Sequence, residues 1–488
     1  MQTENTLSDR RPRREAQKIT ELIHLNPDMT LRERWQRGKE LRAKVPWKSQ
    51  SEWERPSNHQ DPIELIQEHD RFRLRSLLPI KYGRMAASAF GFLRGSAAVM
   101  AADLSRTSTT GVETMLSGDA HLSNFGIFAS PERRLIFDIN DFDETYPGPW
   151  EWDLKRLAAS AVVAGKDNGF KPKYNRKLAK QVAKIYRETM STLANKPILD
   201  VWYSFVDARR LLKAFQNDRK DLRILKKAVK NARTRTTRET VDKYTEIVNG
   251  ERQFINNPPL VVRLTDVSES GDEAEEVTMS RDGLEKAWHE YVCSVNMDRR
   301  LLLGRYRIVD TALRVVGVGS VGTRCYIALL EANSGNGAIV LQQKEAGPSV
   351  LESYLPIREF ANNASRVVTG QRLMQSESDI FLGWSVGFAS SGHDYYWRQL
   401  RDMKGSIDVS RLDAEGFEDY VKCCSYCLAL AHARSGDAAG IAGYLEDGKP
   451  FDEAIADFGV SYAEQVEEDY QELLEAIETG RIAAEKDV

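Results

Sequence analysis

The chain has little cysteine, five residues in 488. So few thiols over such a length do not make a disulfide framework. Three of them, Cys423, Cys424 and Cys427, fall in one apolar, helix-like run. A zinc site would need a fourth ligand at suitable spacing, so buried thiols that pack as small hydrophobes are expected. Neither sign of charge dominates: Lys and Arg total 69, Asp and Glu 72, for a formal net charge of -3. That balance argues against a general nucleic-acid binder, which would be markedly basic. No apolar run reaches membrane-spanning length, and no membrane partner is expected. The first residues are polar, with Arg10, Arg11, Arg13 and Arg14, and lack the apolar core of a secretory signal. The expectation is a soluble cytoplasmic protein, long enough for two or three domains and a large core.

What the chain does have is a run of carboxylates in a particular order. Gly118-Asp119-Ala120-His121-Leu122-Ser123-Asn124 is followed by a strand-like Leu135-Ile136-Phe137 and then by Asp138, Asp141, Asp143 and Glu144. Asp-rich stretches ordinarily make turns and caps. An oxygen-only cluster also suits Mg²⁺, which takes one or two protein carboxylates and leaves room for phosphate. Kinase catalytic loops have this order, with a base Asp, a metal-binding Asn and then a metal-binding Asp on the next hairpin. Asp119 would be the base or orienting group, and Asn124 and Asp141 the metal ligands, with Asp138 or Asp143 as alternates. The G-D-x-H-x-x-N pattern resembles the catalytic loop of the aminoglycoside and choline phosphotransferases. In those enzymes an Asp at the start of the next helix, matched here by Asp153, steadies the loop. Such a carboxylate also serves as an ordinary first-turn charge.

A second motif lies far downstream. Val315-Val316-Gly317-Val318-Gly319-Ser320-Val321-Gly322 holds a G-x-G-x-x-G. A dinucleotide fold would continue straight into a helix. Here the β-prone Arg324–Leu330 follows, then the turn Asn333-Ser334-Gly335, then a second strand, Ala338–Ala346, with Lys344 near its end. That is the order of a kinase N-terminal lobe. Gly317, Gly319, Ser320 and Gly322 would close over ATP phosphates, and Lys344 would hold two of them. A helix near Ser349 to Phe360 offers Glu352 and Glu359 as partners for the lysine, with the choice between them, or of a third residue, left open by the sequence. Strands at Asp379–Trp384 and Asp394–Leu400 lead to a hinge at Arg401–Gly405, where backbone from Gln399 to Arg401 would read an adenine edge.

The remaining stretches are simpler. Trp35, Trp47 and Trp53 sit in a polar arm expected to dock on the body. Met85–Leu104 reads as one helical segment, with Arg94 in its apolar run needing a carboxylate partner. The basic stretch Arg209–Arg238 reads by default as a solvated helix face. Phe417–Arg434 is a helix whose L-A-x-x-H-A ending would, in the phosphotransferases, run into the catalytic loop. Asp437 follows it, but Ala442 stands where the metal-binding Asn would be.

The parts are therefore complete but rotated. The order implies an α+β, kinase-like two-lobe fold in circularly permuted order, with a small antiparallel sheet lobe and a large helical lobe. The expected divisions are an arm at 1–60, a helical catalytic lobe at 61–285, a nucleotide-binding lobe at 286–405 and completing helices at 406–488. The run from Phe92-Leu93-Arg94-Gly95 through Gly118–His121 and Asn140–Glu144 to Ala433–Asp437 also resembles a bacterial family, the domain of unknown function 2252. That resemblance implies no activity. Three functions follow: an ATP- and Mg²⁺-dependent phosphotransferase on a hydroxyl acceptor, a transferase of AMP on the same fold, or a non-catalytic nucleotide-binding interaction protein.

Overall fold

A computed structural model describes residues 28–56, 59–215, 219–258, 260–266, 281–314, 321–335, 337–386, 393–401 and 403–485. The arm begins with a capping box, in which Thr30 and Glu33 each accept from the other's backbone N–H, and continues as α1, Leu31–Lys44. It docks through its tryptophans: Trp47 Nε1 donates to the Tyr444 carbonyl at 3.0 Å, and Trp53 meets the edge of Tyr462.

Four short helices follow, α2 (Pro62–Asp70), α3 (Leu78–Met85), α4 (Ala89–Gly95) and α5 (Ala97–Leu104). The expected single helix over 85–104 is thus two pieces. The chain leaves helical geometry at Ser96, and Ser88 caps α4 by accepting from Gly91 N. Strand β1 (Glu113–Leu116) pairs with β4 (Tyr146–Pro149), and β2 (Phe125–Ala129) with β3 (Leu135–Ile139). Then come α6 (Trp150–Asp167), α7 (Pro172–Ala194) and α8 (Ile198–Trp202), with β5 (Val206–Asp207) added beside β3. Nearly all of α6 is buried, from Trp150 to Gly165. Its first two turns bury four charged side chains, Glu151, Asp153, Lys155 and Arg156, and the small, mostly apolar run from Leu157 to Gly165 that follows belongs in the middle of a helical body, where α6 sits. Trp150 stacks on Tyr186 of α7 with centroids 5.4 Å apart.

After α9 (Ala208–Ala214), α10 (Arg219–Thr234) and α11 (Thr237–Tyr244), the hairpin β6 (Thr245–Val248) and β7 (Glu251–Phe254) precedes β8 (Val261–Arg263). Lys226, Lys227 and Lys230 of α10 are exposed while Leu225, Val229 and Ala232 are buried, the ordinary division of an amphipathic helix. Next are α12 (Arg281–Ser294), α13 (Met297–Leu303), β9 (Tyr306–Arg314), β10 (Cys325–Ala332), β11 (Ala338–Ala346), α14 (Asn363–Met374), β12 (Gly383–Val386) and β13 (Asp394–Gln399). These make one antiparallel sheet in the order β12-β13-β11-β10-β9-β8. The sheet has its own core, in which Tyr291 of α12 stacks on Trp397 at 4.6 Å. Sheet and helical body together make a mixed α+β protein.

Two expectations are corrected here. Ser349–Phe360 is a run of turns and irregular backbone, and the helix starts later, where Asn362 and Ser365 form a capping box. Pro356, which lacks an N–H, falls inside the expected helix and would break it. The strand expected over 379–384 forms only from Gly383, because Asp379 makes a turn by accepting from Phe381 N. The chain closes with α15 (Ala414–Ser435), α16 (Ala438–Leu445) and α17 (Lys449–Glu478). Cys424 and Cys427 are buried in α15, as free thiols. Among the described residues no helix is long and apolar enough to cross a membrane.

Candidate functional site

The site begins where β1 ends. Asp153, in the first turn of α6, accepts from Ser117 N at 2.7 Å and Gly118 N at 3.0 Å. Its Oδ2 also lies 3.3 Å from His432 Nε2, and His432 Nδ1 is bonded to the Tyr186 hydroxyl at 2.8 Å. Gly118 has φ +79°, and a Cβ there would collide with the Glu144 carbonyl. The backbone is thereby delivered to Asp119 in one conformation. Asp153→Ala would leave the buried Ser117 N–H without an acceptor, at about 1–3 kcal/mol, and the part-buried Gly118 N–H, at about 1 kcal/mol. A fall of about 2–4 kcal/mol in urea unfolding is expected; an unchanged midpoint would mean that the loop holds itself.

Arg156 stands one turn after Asp153 on the same face of α6, as three-residue spacing requires. Its Nε and Nη2 reach Asp119 Oδ1 at 2.9 and 2.6 Å, and Nη2 also donates to Leu93 O at 2.7 Å. Asn124 Nδ2 donates to the Asp119 carbonyl at 2.8 Å. Burial pushes the Asp119 carboxyl up, but His121, Arg156 and Arg94 outweigh it and hold it below its ordinary value. His121 itself is pushed down to about 3, by burial first, and stays neutral. Its Nδ1 accepts from Ser123 N, so Nε2 carries the proton, 3.5 Å from Asp119 Oδ2. Arg94 lies close enough for its charge to be felt by Asp119 and Asp141, and its Nε is buried without a hydrogen-bond partner.

The acidic loop leaves β3 beside this one, tied by Asn140 N to Asn124 O at 2.9 Å. Its carboxylates have three different fates. Asp138 accepts from Ile139 N and from Ser376 N and Oγ, and so anchors the chain that follows α14. Asp143 forms an ion pair with Lys344 Nζ and accepts from Tyr396 OH at 2.9 Å. Asp141 lies between these, with Oδ1 3.4 Å from Asp143 N. Burial, then the Asp143 charge, push the Asp141 carboxyl up, against the pull of Lys344 and Arg398. Lys344 and Tyr396 hold Asp143 low despite its burial, and Asp143 and Asp141 hold Lys344 protonated although it is buried.

Lys344 is delivered by β11, where it pairs in register with Cys325 of β10 and Tyr396 of β13. Its carboxylate partner is Asp143, rather than the Glu352 or Glu359 that the sequence suggests. Glu352 accepts from Ser349 N and pairs with Arg366 at 3.4 Å. Arg366, on α14, fastens the acidic loop to the sheet by donating to the carbonyls of Asp143, Thr145 and Gly347. Asp119, Asn124, Asp141 and Lys344 thus gather in one region. Of the glycine loop, Gly317, Gly319 and Ser320 lie outside the described residues. Gly322, at φ +89°, accepts from Leu74 N at 2.7 Å. The expected adenine-reading backbone is partly engaged already: Gln399 N donates to Asp379, and Leu400 N to Val340 O.

Arg156, Tyr396, Arg366 and Arg398 were not singled out by the sequence reading. Only Arg156 carries a local signal, its helical spacing from Asp153. A cavity of about 440 Å³, lined by Asp143, Glu144, Thr323, Arg73 and Tyr354 among others, opens beside the Lys344 pair. A smaller one touches Asn140, Arg398, Gln399 and Lys404. Among the described residues no group of three or more His, Cys, Asp or Glu side chains is arranged to hold a metal. Mg²⁺ needs only one or two carboxylates when phosphate and water complete its shell. Asp141, buried beside a second carboxylate, fits a cation that would lower its charge cost.

Glu144 gives a pH test of this region. Burial raises its carboxyl to about 7, although Val350 N donates to it. Between the ordinary value of 4.5 and about 7 the folded chain holds a proton that the unfolded chain has lost, so this group lowers stability as pH rises through that window. Glu144→Gln is expected to unfold at higher urea than wild type at pH 8, by on the order of 2 kcal/mol, and to match it near pH 4. Equal midpoints at both pH values would contradict this.

A family model described as an uncharacterized protein conserved in bacteria, the domain of unknown function 2252, matches residues 73–476. No curated protein and no solved structure gives a significant match.

Proposed function

The chain belongs to the family of the bacterial domain of unknown function 2252, and for this member we propose an ATP- and Mg²⁺-dependent phosphotransferase that acts on a hydroxyl acceptor. One observation carries the reading. Lys344 and Asp143, 201 residues apart in the chain, meet as an ion pair beside Asp141. ATP phosphates need a lysine on one side and metal-bearing carboxylates on the other, and both motifs were assigned those parts separately.

The order of elements supports a kinase-like arrangement in permuted order. The sequence between β9 and β10 holds the glycine motif, the lysine is on β11, α14 follows, and β12 and β13 lead towards α15. The catalytic and acidic loops come from the earlier half of the chain. There is one departure: protein kinases pair this lysine with a Glu on the next helix, whereas Asp143 pairs with it here. Asp437, after α15, caps α16 through Gly440 N and pairs with Arg34, so it is not a second catalytic base.

Asn124 and Asp141 would hold Mg²⁺, which supplies charge neutralisation across the phosphate oxygens. Lys344 would exchange part of its bond to Asp143 for the phosphates. Asp119 is ionised and fixed by Arg156 through Oδ1, while Oδ2, 3.4 Å from Asn124 Nδ2 and 3.5 Å from His121 Nε2, would orient an acceptor hydroxyl and receive its proton. Arg94 adds positive charge beside Asp119 and Asp141 where an anion would arrive. The test is ATP labelled in the γ- or the α-phosphate, incubated with the full chain, Mg²⁺ and a hydroxyl-compound library. Transfer of γ-label is expected. Transfer of α-label alone would make the chain a nucleotidyl transferase, and transfer of neither, with no ATP hydrolysis, would overturn the proposal.

A further inference from the structure

One corner of the helical body carries apolar side chains that stand exposed among the described residues. Ile198, Leu199, Trp202 and Tyr203 are 80, 65, 43 and 70% exposed within six residues. The tip that holds them is firmly rooted. Val201 is buried, Arg434 Nη2 donates to the Ser204 carbonyl, and Val206 pairs with Phe137 of β3. Beside the tip lies a cavity of about 510 Å³, lined by Arg134, Lys196, Tyr203, Arg209, Arg210 and Tyr426 among others. Arg134, Lys196, Arg209 and Arg210 are all exposed. Asp207 opposes this charge, paired with Arg209 at 3.2 Å and near Arg134, and Asp200 is exposed on α8. Four cations against two carboxylates leave the corner basic.

We propose that this corner binds the surface of an anionic membrane peripherally, with Ile198, Leu199, Trp202 and Tyr203 entering the headgroup region and the basic cavity taking lipid phosphate. Two independent features agree on the occupant. The apolar side chains project from a tip instead of lining a groove, and Trp and Tyr favour the water–bilayer boundary. The surrounding Lys and Arg gain on the order of 1 kcal/mol each near an anionic leaflet. The lack of a spanning run, from which no membrane partner was expected, does not bear on a surface of this kind. The proposal is independent of the phosphotransferase reading.

The test is sedimentation of the full chain with vesicles of phosphatidylcholine, alone or mixed equally with phosphatidylglycerol. Wild type is expected to sediment with the mixed vesicles and much less with the neutral ones. Ile198→Ser with Leu199→Ser, and Arg209→Glu with Arg210→Glu, should each lower that partition about tenfold or more. Brominated phosphatidylglycerol should quench wild-type tryptophan fluorescence, and less so in Trp202→Phe, which decides the matter if a double variant fails to fold. Failure of wild type to bind mixed vesicles, equal binding by both folded double variants, or quenching unchanged by Trp202→Phe would each overturn the proposal. So would binding of soluble polyglutamate in place of vesicles, which would make the corner a protein-docking surface.

Discussion

Lys344→Met is expected to lower turnover of ATP by about 10²–10³-fold, the loss that follows removal of one preorganised electrostatic group. Lys344 is 3% exposed and pairs with Asp143 in the resting chain, so the methionine keeps its volume while removing the charge. Two carboxylates, Asp141 and Asp143, then lie together without their nearest ammonium. The carboxyl of Asp143 should rise, and Mg²⁺ should bind there more readily than before. ATP affinity should nevertheless fall, because metal alone cannot replace the lysine on the far side of the phosphates. Asp141→Ala should reduce turnover to a similar extent by the opposite route, through loss of the metal. Steady-state ATP hydrolysis, with circular dichroism as the check on folding, measures both. Turnover within twofold of wild type in folded Lys344→Met would contradict the assignment.

Asp119→Asn should slow transfer by about 10²–10⁴-fold, the range for loss of a general base, while leaving ATP affinity nearly unchanged. Asn is the informative substitution because its Oδ1 still accepts from Arg156, which is 3% exposed. Asp119→Ala would instead leave that guanidinium buried and unpaired, at a cost of about 3–5 kcal/mol. A loss of activity in Ala alone, with Asn unaffected, would make Asp119 an anchor for Arg156 rather than a base. Single-turnover rates at saturating ATP, beside a binding isotherm, separate the two.

The parts of the site that could be read from sequence are those set by short range. Gly118, Asp119 and Asn124 occupy one loop, and the strand carrying Lys344 is a single run of nine residues, Ala338–Ala346. Asp153 in the first turn of α6 is legible because a first-turn carboxylate is a local feature, whereas its bonds to Ser117 N and Gly118 N reach back across 36 and 35 residues and have no local signature. The lysine's partner was not legible. Glu352 and Glu359 were nearer in sequence, but Asp143 reaches Lys344 across the fold, and no periodicity records such a pairing. The helix expected over 349–360 moved to 363–374 because Pro356 breaks the first stretch and the Asn362–Ser365 box favours a later start. The break at Ser96 within the 85–104 run was likewise invisible to an apolar pattern that continues on both sides. Asp138, Asp141 and Asp143 look equivalent as letters. Only their surroundings, Ser376 for one and Lys344 for another, tell them apart.

On the proposed reading, ATP with Mg²⁺ binds where Lys344, Asp143 and Asp141 come together. Isothermal titration calorimetry of the full chain with ATP tests it most directly. The account predicts saturable binding with Mg²⁺, much weaker binding in excess chelator, and a large loss of affinity in folded Lys344→Met and Asp141→Ala. Absence of any ATP binding by the wild-type chain with Mg²⁺, or binding that neither substitution alters, would contradict it.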